Sequence, residues 1–288
     1  MTRKVSITGA AGLGGTIVNF PISFEASEVF NLIEQEVASG TRFDVDITEG
    51  AKEYTARIEA ELVSGKPFYL ALGSVNPAWL DANPSTITVL TDIPECTVSA
   101  ESESDSLTIH GAKCDRLRIN FSAGEFVTYE MEMLGTIAET IAVAGDTDWS
   151  VEAMTGASVI VQLDGNALTE VQSGYVEFNN NLESRYACGQ GKQPTKIREQ
   201  RLEVTGGITC GQADIQYFTQ GGHELTITVM GLGRGSLSIY CNSIWFNELP
   251  DEFTGHDVYE VEFTWIAMPS TAATRGIQIV DDTSIAQW

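Results

Sequence analysis

Tyr129-Glu130-Met131-Glu132-Met133 returns 130 residues later as Tyr259-Glu260-Val261-Glu262-Phe263. Apolar and acidic residues trade places at period two, the mark of a half-buried strand rather than of a helix. Ser106-Leu107-Thr108-Ile109 recurs at the same offset as Ser236-Leu237-Ser238-Ile239, and a glycine precedes the later block in each copy (Gly124, Gly255). Repeats decide architecture, so this one comes before any single motif. The alternative is a coincidence of all-β patterning.

Upstream the offset is 157: Val45-Asp46-Ile47-Thr48-Glu49-Gly50 corresponds to Leu202-Glu203-Val204-Thr205-Gly206-Gly207. The two offsets differ by 27, which places about 27 extra residues in the first copy, within the Pro- and Asn-rich stretch from Lys66 to Glu95. Tyr54, Ile58 and Leu62 stand at i, i+4, i+8 and predict a helix stopped by Gly65 and Pro67. Ile215 and Phe218 predict a shorter one ending at Gly221-Gly222. A further helix is predicted from Ser27, an N-cap residue type, through Phe30, Ile33 and Val37 to Gly40. Strand patterns cover Thr86–Leu90, Ser106–His110, Arg116–Asn120, Phe126–Met133, Ser158–Leu163, Tyr175–Asn179, Glu224–Met230, Leu237–Tyr240 and Asp257–Ile266.

The expected architecture is mainly β: two tandem β-sandwich or barrel domains, each with one helix packed on it. An arm and helix occupy 1–40, a first domain with an inserted loop at about 66–95 runs over 41–145, and a second with a C-terminal tail over 146–288. The joint falls near Ala142 to Trp149.

The 288 residues carry 40 Asp plus Glu against 16 Lys plus Arg, a formal charge of −24, and only six of the cations are lysines. Affinity for nucleic acid rests on cations neutralising phosphates, so this balance excludes a protein that grips DNA or RNA. It leaves open one that DNA slides past, or a solvated acidic surface of a concentrated or salt-adapted protein. No stretch reaches the apolar length of a membrane helix, and Met1 to Phe20 lacks a signal peptide's apolar core; the expectation is a soluble, unexported chain. The cysteines Cys96, Cys114, Cys188, Cys210 and Cys241 form no CxxC pair, and His110, His223 and His256 stand apart. No metal site is expected.

Thr8-Gly9-Ala10-Ala11-Gly12-Leu13-Gly14-Gly15 fits the TGxxGxxG turn of dinucleotide-binding dehydrogenases. That chemistry needs a helix starting at the last glycines to hold a pyrophosphate. Here β-branched Thr16-Ile17-Val18 follows and Pro21 ends the segment, and no Tyr-x-x-x-Lys pair appears. A small-residue N-terminal arm is the expectation, and a nucleotide-binding oxidoreductase the competing one. Glu130 with Glu132 and Glu260 with Glu262 fall on one strand face each. Glycoside hydrolysis needs one acid held protonated in an apolar pocket, whereas these share a solvated face, so a water-facing or lumen-facing stripe is expected. Neither a Gly-x-Ser-x-Gly elbow nor a P-loop is present, and no enzyme is expected.

One cluster breaks the acidic trend. Arg185, Lys192, Lys196, Arg198 and Arg201 put five cations within 17 residues around the polar turn Ala187–Pro194. A cationic hairpin on an anionic chain suits docking to another copy of itself, the alternative being a mobile surface loop.

Tyr175 to Gly222, from YVEFNNNLESRYACGQGKQPTKIREQRLEVTGG onward, resembles the second half of tail tube proteins of long-tailed (siphovirus-like) phages or archaeal viruses. The Asn-Asn-Leu-Glu turn falls at Asn180–Glu183, the long loop at Ser184–Gln200, the Arg-led strand at Arg201–Gly206 and the short helix at Gln212–Thr219. SLTIHGAKCDRLRINFSAGEFVTYEMEMLG resembles the family's strand, turn and hairpin, and the likeness spans Asp44 to Pro269. The resemblance implies a tube domain of packed antiparallel sheets with a flanking helix. Its implied partners are copies of itself in stacked rings, tail terminator, tape measure and baseplate proteins, and DNA in transit. Neither cofactor nor membrane is implied. A duplicated chain implies trimeric rings of pseudo-sixfold symmetry in a virion tail, assembled in the host cytoplasm. The cationic loop then falls at the contact between rings. A β-sandwich virion decoration module is the remaining alternative.

Overall fold

The computed structural model describes residues 4–8, 16–17, 21–36, 45–73, 85–89, 92–101, 106–140, 153–189, 191–231, 235–247, 260–268 and 276–283. The first half runs β1 (Lys4–Thr8), β2 (Thr16–Ile17), β3 (Pro21–Glu36), β4 (Val45–Glu61), helix α1 (Lys66–Leu72), β5 (Ser85–Thr88), β6 (Cys96–Glu101), β7 (Ser106–Ser122), β8 (Thr128–Gly135) and β9 (Ile137–Glu139). The second runs β10 (Val159–Leu163), β11 (Asn166–Ala167), β12 (Val171–Asn179), β13 (Glu183–Arg185), β14 (Lys196–Arg198), β15 (Glu203–Gly211), a 3-10 turn (Gln212–Tyr217), β16 (His223–Met230), β17 (Ser236–Phe246), β18 (Glu260–Ala267) and β19 (Ile277–Asp281). The fold is mainly β, and every registered strand pair is antiparallel.

The pairing scheme occurs twice. In the first half β2 pairs β1, β1 pairs β6, and β6 pairs β7; β7 pairs β8 and β9, β8 pairs β4, and β4 pairs β3. In the second half β11, β10, β16, β17, β18, β19, β15 and β12 take the places of β2, β1, β6, β7, β8, β9, β4 and β3, partner for partner. The short sequence repeats lie on corresponding strands, β7 with β17 and β8 with β18. Helix α1 follows β4 as the 3-10 turn follows β15, and among the described residues β5 has no second-half counterpart.

Two joints tie the halves together. β12 pairs β7 from Ser173↔Ser122 to Asn179↔Arg116, and β19 pairs β5 from Gln278↔Thr88 to Asp281↔Ser85. One apolar core runs through both halves, with Trp265, Phe68, Phe178 and Phe263 among its largest fully buried side chains. Phe68 of α1 meets Phe178 of β12 edge to face, ring centres 5.6 Å apart.

Several expectations are corrected. The helix predicted over Tyr54, Ile58 and Leu62 is strand β4. A spacing of four suits a period of 3.6 and a period of two alike. The deciding residues are Ala56 and Ala60, buried with the larger three, so that alternate positions from Tyr54 to Leu62 face the core. The helix predicted from Ser27 toward Gly40 is strand β3 as far as Glu36, paired with β4 along its length; cross-strand pairing overrides the local periodicity. Gly65 and Pro67 start α1 instead of stopping a helix, because Pro lacks only an N–H that the first turn leaves unpaired anyway. The strand patterns of Ser106–His110 and Arg116–Asn120 form one strand, β7, which bends at Gly111 (φ 60°) and at a bulge between Cys114 and Arg116. The second predicted helix is a short 3-10 segment, Gln212–Tyr217. Lys4–Thr8, ahead of the glycine-rich stretch, is strand β1 as its alternation reads, and it lies in the sheet with Val5 and Ile7 buried. Gly9 to Gly15 and the expected joint at Ala142–Trp149 lie outside the described residues.

Candidate assembly surfaces

Eight strands follow one another in the order β3–β4–β8–β7–β12–β15–β18–β17, four from each half. Along β8 the alternation is strict. Tyr129, Met131 and Met133 are buried, while Thr128, Glu130 and Glu132 face the other way. The register carries that second face across neighbouring strands: Glu59 and Arg57 of β4 lie opposite Glu130 and Glu132, and so do Arg118 and Arg116 of β7. Across the inter-half joint Glu177 of β12 faces Arg118 and Tyr175 faces Asn120. In the second half Glu260 and Glu262 of β18 lie opposite Gly211 and Thr209 of β15. An open groove of about 580 Å³ lies on this face, bordered by Ile22, Glu61, Arg118, Tyr175, Gly207 and Glu262.

The stripe is therefore polar on both halves but differs in charge. In the first half arginines interleave with the acids. Arg57 Nη2 donates to Glu130 Oε2 at 2.6 Å, Arg116 Nη2 to Glu132 Oε1 at 2.5 Å, and Arg118 lies 3.6 Å from Glu177. The hydrogen bond to Glu130, then that carboxylate's charge, holds the Arg57 guanidinium above its ordinary value. Arg118 also stacks over the Tyr175 ring at 4.0 Å. These cations escaped the sequence reading although Arg116 and Arg118 repeat at period two, the spacing that sets them against Glu132 and Glu130. In the second half Glu260 and Glu262 face Gly211 and Thr209 of β15, with no arginine across from them on that strand. Glu61 is pushed up by burial.

Local glycines let the sheet pack on both sides. A Cβ on Gly206 would fall 2.2 Å from Trp265 in the core, and one on Gly207 would fall 2.6 Å from the Tyr175 ring on the polar face. Gly206 and Gly207 thus leave room for Trp265 and Tyr175 to close on the backbone of β15 from either side.

The cationic segment is an ordered tongue. β13 and β14 pair with Arg185 opposite Lys196 and Arg198 opposite Glu183, and Pro194 and Ile197 are buried beneath. Arg185, Lys192, Lys196, Arg198 and Arg201 are all exposed, with Arg185 2.9 Å from Glu183. Asn181 at the base donates to the Arg201 carbonyl at 3.0 Å. The tongue leans on the first half, where the Tyr186 hydroxyl donates to the Lys52 carbonyl at 2.9 Å and the Lys52 N–H to the Lys192 carbonyl at 2.8 Å. Buried Lys113 of β7 holds Glu199 at its root. Burial alone would raise Glu199, and that bond keeps its carboxyl below the usual range.

The Asn-Asn-Leu turn proves to be a structural pin. Buried Asn180 donates 2.9 Å bonds to the carbonyls of Ala71 in α1 and Cys114 in β7, while the Leu182 N–H donates to Asp115 Oδ1 at 2.6 Å. Asp281 does the same at the other joint. Its Oδ2 accepts the Gly65 N–H at 2.8 Å and its Oδ1 the Thr283 N–H at 2.9 Å. None of the sequence patterns singled out Asp281 or Lys66 beside it.

Among the described residues no group of three or more His, Cys, Asp and Glu could hold a metal ion, and no helix is long and apolar enough to cross a membrane. The glycine-rich stretch lies in sequence between β1 and β2, which pair antiparallel through Ser6↔Ile17 and Ile7↔Thr16. A pyrophosphate-binding turn leads from a strand into a helix instead. No curated protein matches the chain. A family model described as phage tail tube protein matches residues 6–267, nearly the whole of the sheet just described. The chain belongs to the phage tail tube protein family, structural components of the virion tail.

Proposed function

We propose that the protein is the major tail tube subunit, polymerising into stacked rings of three chains whose bore carries the genome during ejection. The observation that carries this reading is the eight-strand sheet built from two copies of one pairing scheme. Each half is then a tube domain, the first built from β1 to β9 and the second from β10 to β19, and three chains give pseudo-sixfold symmetry. Three such sheets joined edge to edge supply twenty-four strands. At the usual strand spacing and tilt these close into a barrel about 50 Å across at the backbone. Its inner wall is the polar face, with Glu130, Glu132, Glu260 and Glu262 toward the lumen. DNA carries about one negative charge per 1.7 Å of axis, so an acid-rich wall gives it nothing to adhere to. Arg57, Arg116 and Arg118 remain tied to glutamates and are poor phosphate ligands while so engaged.

The tongue carrying Arg185, Lys192, Lys196, Arg198 and Arg201 contacts the acidic surface of the next ring. Tail terminator, tape measure and baseplate proteins are the other partners, and assembly takes place in the host cytoplasm. The role is structural, without catalysis or cofactor. Negative-stain microscopy of concentrated purified protein tests the reading. Hollow tubes of uniform width are expected; discrete particles under every ionic condition would overturn it in favour of a decoration module.

A further inference from the structure

The cationic tongue and the groove on the polar face lie at opposite ends of the same strands. The tongue connects the end of β12 to the start of β15, with Asn179 opposite Glu203 at its base. The open groove of about 580 Å³ lies at the other end, bordered by Ser173 of β12 and Thr209 of β15. From Ser173 to Asn179 is about 20 Å at the usual rise per residue. β7 runs between the same two ends: Lys113 holds the root of the tongue through Glu199, and Ser122 borders the groove.

The two surfaces are complementary in charge. Among the described residues that border the groove, Glu61, Glu125 and Glu262 are acidic, while Arg118 is basic and already engaged by Glu177. On the tongue, Arg185 stands directly opposite Lys196, and Arg198 stands opposite Glu183, the one acid in the two strands. Ile197 is buried beneath, so Lys196 and Arg198 share the outward face of β14. Like charges set across a ladder repel, and an anionic partner relieves that repulsion. Apolar surface is left uncovered on both sides as well. Phe126 (52% exposed) and Ile22 (48%) border the groove, and Tyr186 (38%) follows Arg185 on the tongue.

We infer that the outward face of the tongue, with Arg185, Lys196 and Arg198, docks into the groove bordered by Glu61, Glu125 and Glu262 of a second copy in the next ring. The inference rests on the tube reading and deepens it by naming the surface that receives the tongue. A tongue does not reach its own groove, which lies at the far end of the sheet. With donor and acceptor at opposite ends the contact is heterologous, and copies related by it run on as a filament. Charge complementarity fixes which ends meet, since tongue against tongue and groove against groove both repel.

Charge reversal on both sides tests the docking. Glu125→Lys with Glu262→Lys should leave the circular dichroism of the subunit unchanged and abolish tubes in negative-stain microscopy, and Arg185→Glu with Lys196→Glu should do the same. All four changes in one chain restore the complementarity and should restore tubes. Normal tubes from the groove variant, or no tubes from a folded chain carrying all four changes, would overturn the docking while leaving the tube reading in place. Cross-linking covers the case in which a reversed chain fails to fold. Cys188 is the exposed cysteine among the described residues, so Cys188→Ser gives a quiet background into which Glu125→Cys and Lys196→Cys are placed together. Tubes of that variant treated with a flexible bismaleimide should give a ladder of linked chains on a denaturing gel, with each single-cysteine variant monomeric. Intact tubes that yield monomers alone would overturn the docking. Absence of any tube from the unaltered protein would strike the tube reading itself.

Discussion

Lys66 opens α1 with its side chain in the core, 6% exposed, and burial lowers its pKa to about 6 while the charge of Asp281 pulls the other way. In the unfolded chain a lysine titrates near 10.4. Between those two values the unfolded chain holds a proton that the folded chain lacks, so stability rises with pH across the window and is lost on acidification toward 6. The slope is about 1.4 kcal/mol per pH unit, which makes about 3 kcal/mol between pH 9 and pH 7. Lys66→Met keeps an unbranched chain in the same space and removes the titration, while Asp281 retains the Gly65 and Thr283 N–H groups. Urea melts of the unassembled subunit, followed by the fluorescence of buried Trp265, give both stabilities at each pH. The methionine variant should gain on the parent by about 3 kcal/mol as pH falls from 9 to 7, whatever the other acids contribute to both. A gap that stays flat across that range would refute the argument that Lys66 is buried uncharged.

Reversing Lys196 and Arg198 to Glu should abolish tube formation with the subunit's circular dichroism unchanged; normal tubes from that variant would remove the tongue from the contact between rings. Asp214, 1% exposed, accepts the N–H groups of Thr169 at 3.0 Å and Glu170 at 2.7 Å, so Asp214→Ala should cost about 3 kcal/mol in a denaturant melt. A loss under half that would show water replacing the carboxylate. Gly206→Ala drives a methyl into Trp265 and should cost about 1–3 kcal/mol together with a shifted Trp emission; an unmoved spectrum would mean the backbone yields instead.

Strand content and the polar stripe were legible because both rest on period two in segments such as Tyr129–Met133, where large apolar residues alternate with acids. β4 hid its strand because Ala56 and Ala60, too small to register as a buried face, separate Tyr54, Ile58 and Leu62. The long reach of β3 depended on partners elsewhere in the chain, which no local pattern reports. The cationic tongue was visible as composition, but its order was not: that comes from Pro194 and Ile197 packing beneath it and from Lys113 on another strand. The interleaved arginines became visible only through register, since Arg57 and Glu130 lie 73 residues apart. The pins at Asn180 and Asp281 join distant backbone to a single polar side chain, and a lone Asn or Asp carries no sequence signature of such a task.

The stitch between Asp281 and Gly65 spans 216 residues. With β19 lying against β5, it means that α1 and the strand after it gain these partners only when the ribosome has reached residue 281. The first half, translated early, cannot settle into its finished shape alone. A first half with all its contacts made thus arises only once translation has run past residue 281, a timing control written into connectivity.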